Sequence, residues 1–316
     1  MKIMITGASG FIGSKLLEQL PADSTLSLGR DKPQGQSSGS FFKLEINNET
    51  DYSVALSDVD VVVHLAARVH VMIDSVSDPL EEYREVNTRG AVNLARQAAS
   101  EGAKRFVFIS SIKVNGEGTS QEKPFTPADE HAPEDDYGLS KSEAEQQLFE
   151  IGQESGMEIV VIRPTLVYGP GVKANFAALL NLVSKGIPLP FGCIKDNRRS
   201  LVSVTNLVDL IVTCIDHPKA ANQIFLVSDD HDVSTSEMVA QMAKALGKAK
   251  FQLPVPKWGY RLAGRLFGKQ DVVDRLLGSL QVDITHTKET LNWTPPQTLE
   301  AGFQETAQAF LQSKQK

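Results

Sequence analysis

Short apolar runs alternate with stretches of helical periodicity through the first half of the chain. Residues 2–6 (KIMIT) form the first run, and residues 11–20 carry apolar side chains at helical spacing. Residues 25–28 (TLSL) and 41–46 (FFKLEI) read as a second and a third strand. Residues 60–66 (DVVVHLA) are apolar at successive positions, the pattern of a strand buried on both faces in a parallel sheet. A long helix is expected over 79–101, with Pro79 in its first turn, where a missing N–H has no helical partner to lose. Residues 105–110 (RFVFIS) form another buried strand, and a helix near 137–155 leads to a strand at 158–164 (EIVVIRP). This alternation means βαβ units joined by right-handed crossovers.

Beyond Pro164 the pattern changes. Residues 168–176 (YGPGVKANF) are turn-rich, and helical periodicity dominates from about 174. It is interrupted by a strand at 223–227 (QIFLV) and by the proline-bounded 253–257 (LPVPK). No internal repeat is present, and the only low-complexity stretch is 35–40 (GQSSGS), a short flexible loop. Leucines in "LLEQL", "LARQA" and "LLNLV" stand at core spacing and carry no functional signal. The fold class is α/β: a doubly wound parallel sheet over 1–168, with later returns near 200–227, and a smaller, mostly helical unit over 169–316.

Composition narrows the functional classes. With 316 residues, 41% hydrophobic and 22% charged, the chain has ordinary soluble globular character. A formal charge of -7 argues against nucleic-acid partners and against broad binding to anionic membranes. Cys193 and Cys214 are the only cysteines, too few for a disulfide framework, and no zinc-ligand spacing occurs, so no metal site is expected. The apolar 201–215 (LVSVTNLVDLIVTCI) is broken by Asn206 and Asp209, so no membrane insertion is expected. No signal-peptide pattern opens the chain, and the expected compartment is the cytoplasm.

Chemistry enters at "ITGASGFIG" (5–13). Gly7, Gly10 and Gly13 lie between the first strand and the first helix. One glycine permits the sharp turn, one lets backbone amides approach a pyrophosphate, and one lets helix and strand pack closely. The helix N-terminus offers free N–H groups and positive potential to phosphates. This makes the sheet Rossmann-type and the cofactor NAD or NADP. The second strand ends in Gly29 where a ribose-binding acid would favour NAD, and Arg30 follows. Arg30 favours the 2′-phosphate of NADP or is a solvated loop charge; Asp31 stands close enough to serve NAD.

A second cluster follows. Ser110 and Ser111 end a buried strand, where ligand crevices open in such sheets. Tyr137 and Lys141, in "YGLSK", share one helix face a turn apart. An ammonium beside a phenol stabilises phenolate and brings its titration towards working pH. With a serine holding a substrate oxygen and a nicotinamide at hand, the set suits alcohol–ketone hydride transfer.

The glycine turn, "HLAA" (64–67), the serine pair, "YGLSK" and "RPTLVYGPG" (163–171) resemble an extended short-chain dehydrogenase/reductase, nearest the nucleotide-sugar epimerase/dehydratase group. The resemblance runs to "LNWTPP" (291–296). It implies Tyr137 as catalytic base or acid, Lys141 tuning it and holding the nicotinamide ribose, and Ser111, rather than Ser110, on the sugar oxygen. Phe11 and Ile12 would pack under the pyrophosphate, Glu45 and Ile46 lie near the adenine, and Ala66 and Ala67 line the cofactor's path, with Asn87 supporting that loop. Asn175 and Arg199 would hold the substrate diphosphate. Asn175 could equally cap its helix, and Arg198 or Arg199 could be solvated.

Two positions depart from the family pattern. Asn115 stands where tyrosine is common and would change the sugar face contacted; Leu166 stands where asparagine is common and removes a polar contact. A small Ser279, beside Leu280, would leave room for an acetamido group. The resemblance implies a nucleotide-sugar epimerase of the UDP-glucose 4-epimerase type, working on a UDP-sugar at C4. The alternatives are an NAD(P)-dependent reductase or dehydrogenase of a UDP-4-keto-6-deoxy sugar, and a non-catalytic dinucleotide sensor, a class that usually loses the Tyr–Lys pair. Dehydration ranks low, because Ile112 and Lys113 stand where acids are expected. The resemblance also implies a homodimer through the helices at 79–101 and 138–155. His64, His70 and His131 are read as structural or unassigned, and Trp258 and Trp293 as packing anchors.

Overall fold

The computed structural model describes residues 1–34, 40–69, 78–120 and 123–314. His70 and all but Ser40 of the glycine/serine stretch at 35–40 lie outside the described residues.

The apolar runs assemble as one parallel sheet. Its strands are β1 (Ile3–Thr6), β2 (Thr25–Gly29), β3 (Phe41–Lys43), β4 (Val61–His64), β5 (Arg105–Ile109), β6 (Glu158–Pro164) and β9 (Gln223–Val227), in the order β3-β2-β1-β4-β5-β6-β9. Side chains on successive strand positions leave on opposite faces, so each buried strand feeds two cores. Ile3, Ile5, Val61, Val63, Val107, Ile109, Val160 and Ile162 pack against α1 (Phe11–Gln19) and α7 (Val204–Asp216). Met4, Val62, Phe106, Phe108, Ile159 and Val161 pack against α4 (Ala91–Ser100) and α5 (Asp136–Ser155). β1 and β5 are each one residue shorter than expected, and β3 and β4 end well short, at Lys43 and His64. Leu65–Arg68 leaves the sheet because it must pass under the glycine turn.

The chain winds outward in both directions from β1 and β4, which are neighbours. The strand order therefore reverses between them, and a crevice opens at their carboxyl ends. The helix expected over 79–101 forms as α3 (Pro79–Tyr83), a widened π-turn at Arg84–Gly90, and α4. Asp78 caps its start by accepting from the Glu81 amide at 3.2 Å. A third core holds Tyr168, Phe176, Leu180, Leu201, Met238, Met242 and Phe303, and joins α6 (Ala174–Ser184), α8 (Thr235–Ala245) and α12 (Leu299–Ser313) to a small parallel pair, β7 (Leu166–Tyr168) and β8 (Leu201–Ser203). The pair is tied to the end of β9 by buried Asp229, which accepts from Tyr168 Oη at 2.6 Å and from the Ser203 amide at 2.8 Å.

Candidate active site

The crevice is built from backbone. Gly7 lies at φ +70°, and a Cβ there would stand 2.7 Å from the Ala66 amide nitrogen. A side chain at Gly13 would run into the Gly7 carbonyl. The Gly10 amide donates to the Gly7 carbonyl at 2.9 Å, and Gly10 then opens α1 with no side-chain cap. The uncapped amides of α1 face a cleft of about 720 Å³. Its lining includes Gly7, Gly10, Phe11, Ile12, Gly13, Arg30, Glu45, Ile46, Ala66 and Ala67, all on one continuous wall. Such a turn, with no Cβ at Gly7, Gly10 or Gly13 and opening a helix N-terminus, fits a dinucleotide pyrophosphate.

Polar groups under the crevice hold its floor. Thr6 Oγ1 accepts from the Ala66 amide at 3.2 Å and meets His64 Nδ1 at 2.8 Å. Burial and the charge of Lys141 push the His64 imidazole down to about 3. Asn87, in the π-turn, accepts from the Arg68 amide at 2.8 Å and donates to the Arg68 carbonyl and to Ser140 Oγ, each at 3.0 Å. A widened helical turn here aims one amide side chain at both backbone groups of a single residue, Arg68.

Beside the crevice, α5 begins where Asp135 caps it, accepting from the Gly138 amide at 2.7 Å. Tyr137 lies in this first turn, largely buried, with its ring edge-on to Tyr83 at 6.1 Å. Lys141 is fully buried, donates to the Ile109 carbonyl at 2.9 Å and stands 4.3 Å over the Phe108 ring. Burial lowers its ammonium to about 7, against the opposing pull of Glu145. The serines divide. Ser110 is buried and donates to Glu145 at 2.5 Å, whereas Ser111 is half-exposed and accepts from the Lys113 amide at 3.3 Å. The phenol departs from expectation: burial, then Asp135 and Tyr83, push Tyr137 above the usual tyrosine range. The chain alone therefore holds Tyr137 as a proton-bearing acid.

Several other expectations change. Asn115 is buried, accepting from Arg163 Nη1 at 2.8 Å and donating to the Thr126 carbonyl at 3.1 Å. It belongs to a buried network that sequence reading missed. Arg163 pairs with Glu145 at 2.5 Å and meets His131 Nε2 at 2.6 Å, and His131 Nδ1 meets Ser142 Oγ at 2.7 Å. Its one signal in the sequence is an arginine inside the otherwise apolar 159–164. Asn175 does not cap α6, whose N-cap is Lys173; it is exposed on the first turn. Arg199 donates through Nη1 to the Arg275 carbonyl and is half-buried, while Arg198 turns to the Lys195 and Asn197 carbonyls. Leu166 is 46% exposed. The Ser279 hydroxyl accepts from the Arg198 amide at 3.0 Å. Trp293 is a packing anchor, buried and donating to Asp209 at 2.6 Å, but Trp258 is 69% exposed and anchors nothing. Among the described residues no group of His, Cys, Asp and Glu is placed to hold a metal ion, and both cysteines are free.

The NAD dependent epimerase/dehydratase family matches residues 3–228. A UDP-glucose 4-epimerase of Vibrio cholerae is 62% identical over 98% of this chain and 96% of its own. The N-acetyl-alpha-D-glucosaminyl-diphospho-ditrans,octacis-undecaprenol 4-epimerase of Escherichia coli O157:H7 is 28% identical over 97% of this chain and 94% of its own. The crystal structure of the Thermus thermophilus UDP-glucose 4-epimerase in complex with NAD superposes with a TM-score of 0.77 at 24% identity, covering 98% of this chain and 99% of that one. The family description specifies NAD, not the NADP that Arg30 favoured.

Proposed function

Because the chain belongs to the NAD dependent epimerase/dehydratase family, we propose that it is an NAD-dependent enzyme interconverting UDP-sugars at the sugar C4 carbon. The observation that carries this reading is the likeness to the Vibrio cholerae UDP-glucose 4-epimerase along nearly the whole chain. NAD, bound in the crevice, would supply the hydride acceptor and then the hydride donor.

The chain's own residues do the rest. Gly7, Gly10 and Gly13 clear space for the pyrophosphate, Phe11 and Ile12 underlie it, Glu45 and Ile46 flank the adenine, and Ala66 and Ala67 border the path to the reacting end. Tyr137 exchanges the proton of the sugar C4 hydroxyl. Its raised phenol needs added positive charge to act as a base. Lys141, pinned by the Ile109 carbonyl, stands at the same end of α5 and titrates near neutrality. Ser111 orients the sugar oxygen, a task Ser110 cannot share while it is bonded to Glu145. Epimerisation requires the sugar to turn while its diphosphate stays held. Asn175, beside the uncapped start of α6, and Arg199, with donors beyond the one given to Arg275, are the residues for that anchor.

The two-part division at residue 168 belongs to this reading, with the nicotinamide end meeting the sugar between the parts. So do a cytoplasmic location and a homodimer through the outer faces of α4 and α5. No helix among the described residues is long and apolar enough to cross a membrane. Reduction of a UDP-4-keto-6-deoxy sugar is the second reading, favoured by Arg30 at the cleft lip. Incubation with UDP-glucose or UDP-N-acetylglucosamine, followed by proton NMR, separates the two. The 4-epimer should appear without net NADH formation. No epimer from either sugar, together with stoichiometric NADPH consumption when a UDP-4-keto-6-deoxy sugar is supplied instead, would replace the first reading by the second.

A further inference from the structure

The segment from Lys248 to Leu277 has a composition unlike the rest of the chain. It carries seven basic and two acidic residues in a protein of net charge -7. It folds as a helical hairpin, α9 (Lys257–Leu266) and α10 (Gln270–Leu277), closed by Gly268 at φ +61°. The two helices pack closely because Gly264 faces Val273; a Cβ at Gly264 would stand 2.8 Å from Val273 Cγ2. These are the hairpin's buried positions, and no residue of α9 or α10 enters the three hydrophobic cores.

The opposite face of α9 is apolar and open. Trp258, Leu262 and Leu266 stand four residues apart, one stripe along the helix. Trp258 is 69% exposed, Leu266 73%, and Phe267 at the hairpin's tip 77%, with Phe251 and Val272 also exposed around them. Lys257, Arg261 and Arg265 run along one edge of the stripe. Lys257 pairs with Asp196 at 2.9 Å, while Arg261 and Arg265 make no ion pair with the described residues.

We propose that this hairpin docks the enzyme on an anionic lipid surface, lying in the interface with Trp258, Leu262, Leu266 and Phe267 in the acyl boundary and its cations among the headgroups. An apolar stripe edged by unpaired arginines, on a helix too short to span, is the pattern of an interfacial helix. Charge decides against other occupants. A second copy packed antiparallel, stripe to stripe, would bring like charges together across the seam, and a nucleic acid would leave the apolar face wet. The overall negative charge argues against broad membrane binding, but attraction acts within about a Debye length, roughly 8 Å, so the local cations dominate once the hairpin faces the surface. The hairpin is also tied to the proposed diphosphate anchor: Arg199 donates to the Arg275 carbonyl, and Thr235 Oγ1 to that of Leu276 at 2.9 Å. Docking therefore holds the substrate side of the cleft close to the membrane.

Vesicle flotation of the full chain tests this without reference to activity. The protein should float with vesicles of phosphatidylglycerol and phosphatidylethanolamine, less so at high salt, and stay below phosphatidylcholine vesicles. Its emission should shift to the blue on binding, and the shift should vanish in Trp258→Phe, where buried Trp293 remains. Arg261→Glu/Arg265→Glu, a change of four charge units, should weaken partitioning by a factor on the order of 10³, and Leu262→Ser/Leu266→Ser should abolish it. Both variants alter exposed positions and should keep the wild-type circular dichroism melt. The proposal fails if the wild type floats with neither composition, or if the arginine reversals leave flotation unchanged. It also fails if the serine pair dissolves a self-associated form in sedimentation while vesicle binding stays absent.

Discussion

At the scale of single residues, the site depends on where burial places protons. Tyr137 is held protonated and Lys141 is lowered to about 7, so the chain alone is poised to give a proton rather than take one. Tyr137→Phe should lower turnover about 10²–10⁴-fold with NAD affinity unchanged, measured by steady-state rate and by cofactor titration. His64 gives a prediction of known sign. Its imidazole titrates near 3 in the fold and near 6.5 when unfolded, so between these values the unfolded chain binds the extra proton. Stability is intact above pH 6.5 and is lost as pH falls below it, by about 2 kcal/mol between pH 7 and pH 5. Urea midpoints at the two pH values should show that loss in the wild type and a smaller one in His64→Asn. The glycines, Ser111, Tyr137 and Lys141 were legible because each acts through a residue type at a fixed spacing. The sign of Tyr137's displacement was not legible, because it arises from Asp135, Tyr83 and burial, which spacing does not carry.

At the scale of elements, the alternation of apolar runs and helical periodicity reveals each strand of the main sheet, since strands buried on both faces have no polar side to confuse the pattern. The π-turn at Arg84–Gly90 left no trace in periodicity, although it aims Asn87 at the loop after β4. The Glu145–Arg163 pair between α5 and β6 left only a partial signal, an arginine inside the apolar 159–164, and only the fold shows its partner. Arg163→Met leaves the Glu145 carboxylate buried without its partner and should cost about 3–5 kcal/mol in urea unfolding. Gly7→Ala combines a left-handed backbone with a clash against Ala66, so it should destabilise by about 1–3 kcal/mol and weaken NAD binding. Stability can be read from the urea midpoint and binding from calorimetry.

At the scale of the whole molecule, a strand order that reverses between β1 and β4 gathers the glycine turn and the loop after β4 at one crevice, with the start of α5 beside it. The helical C-terminal part was legible as helices but not as surfaces. Trp258 reads as a core residue by type, and only the fold shows it pointing outward on a hairpin that joins no core. Substrate choice is the least legible property, because the residues proposed to bear on it, Leu166, Asn175, Arg199 and Ser279, are spread along the chain. The central claim is that hydride leaves C4 and returns to the same carbon. UDP-glucose deuterated at C4, incubated with the enzyme in ordinary water with excess unlabelled NAD, tests it most directly by mass and NMR of the product. The account predicts UDP-galactose that keeps its deuterium at C4; a product that has lost the label, or no epimer at all, would contradict it.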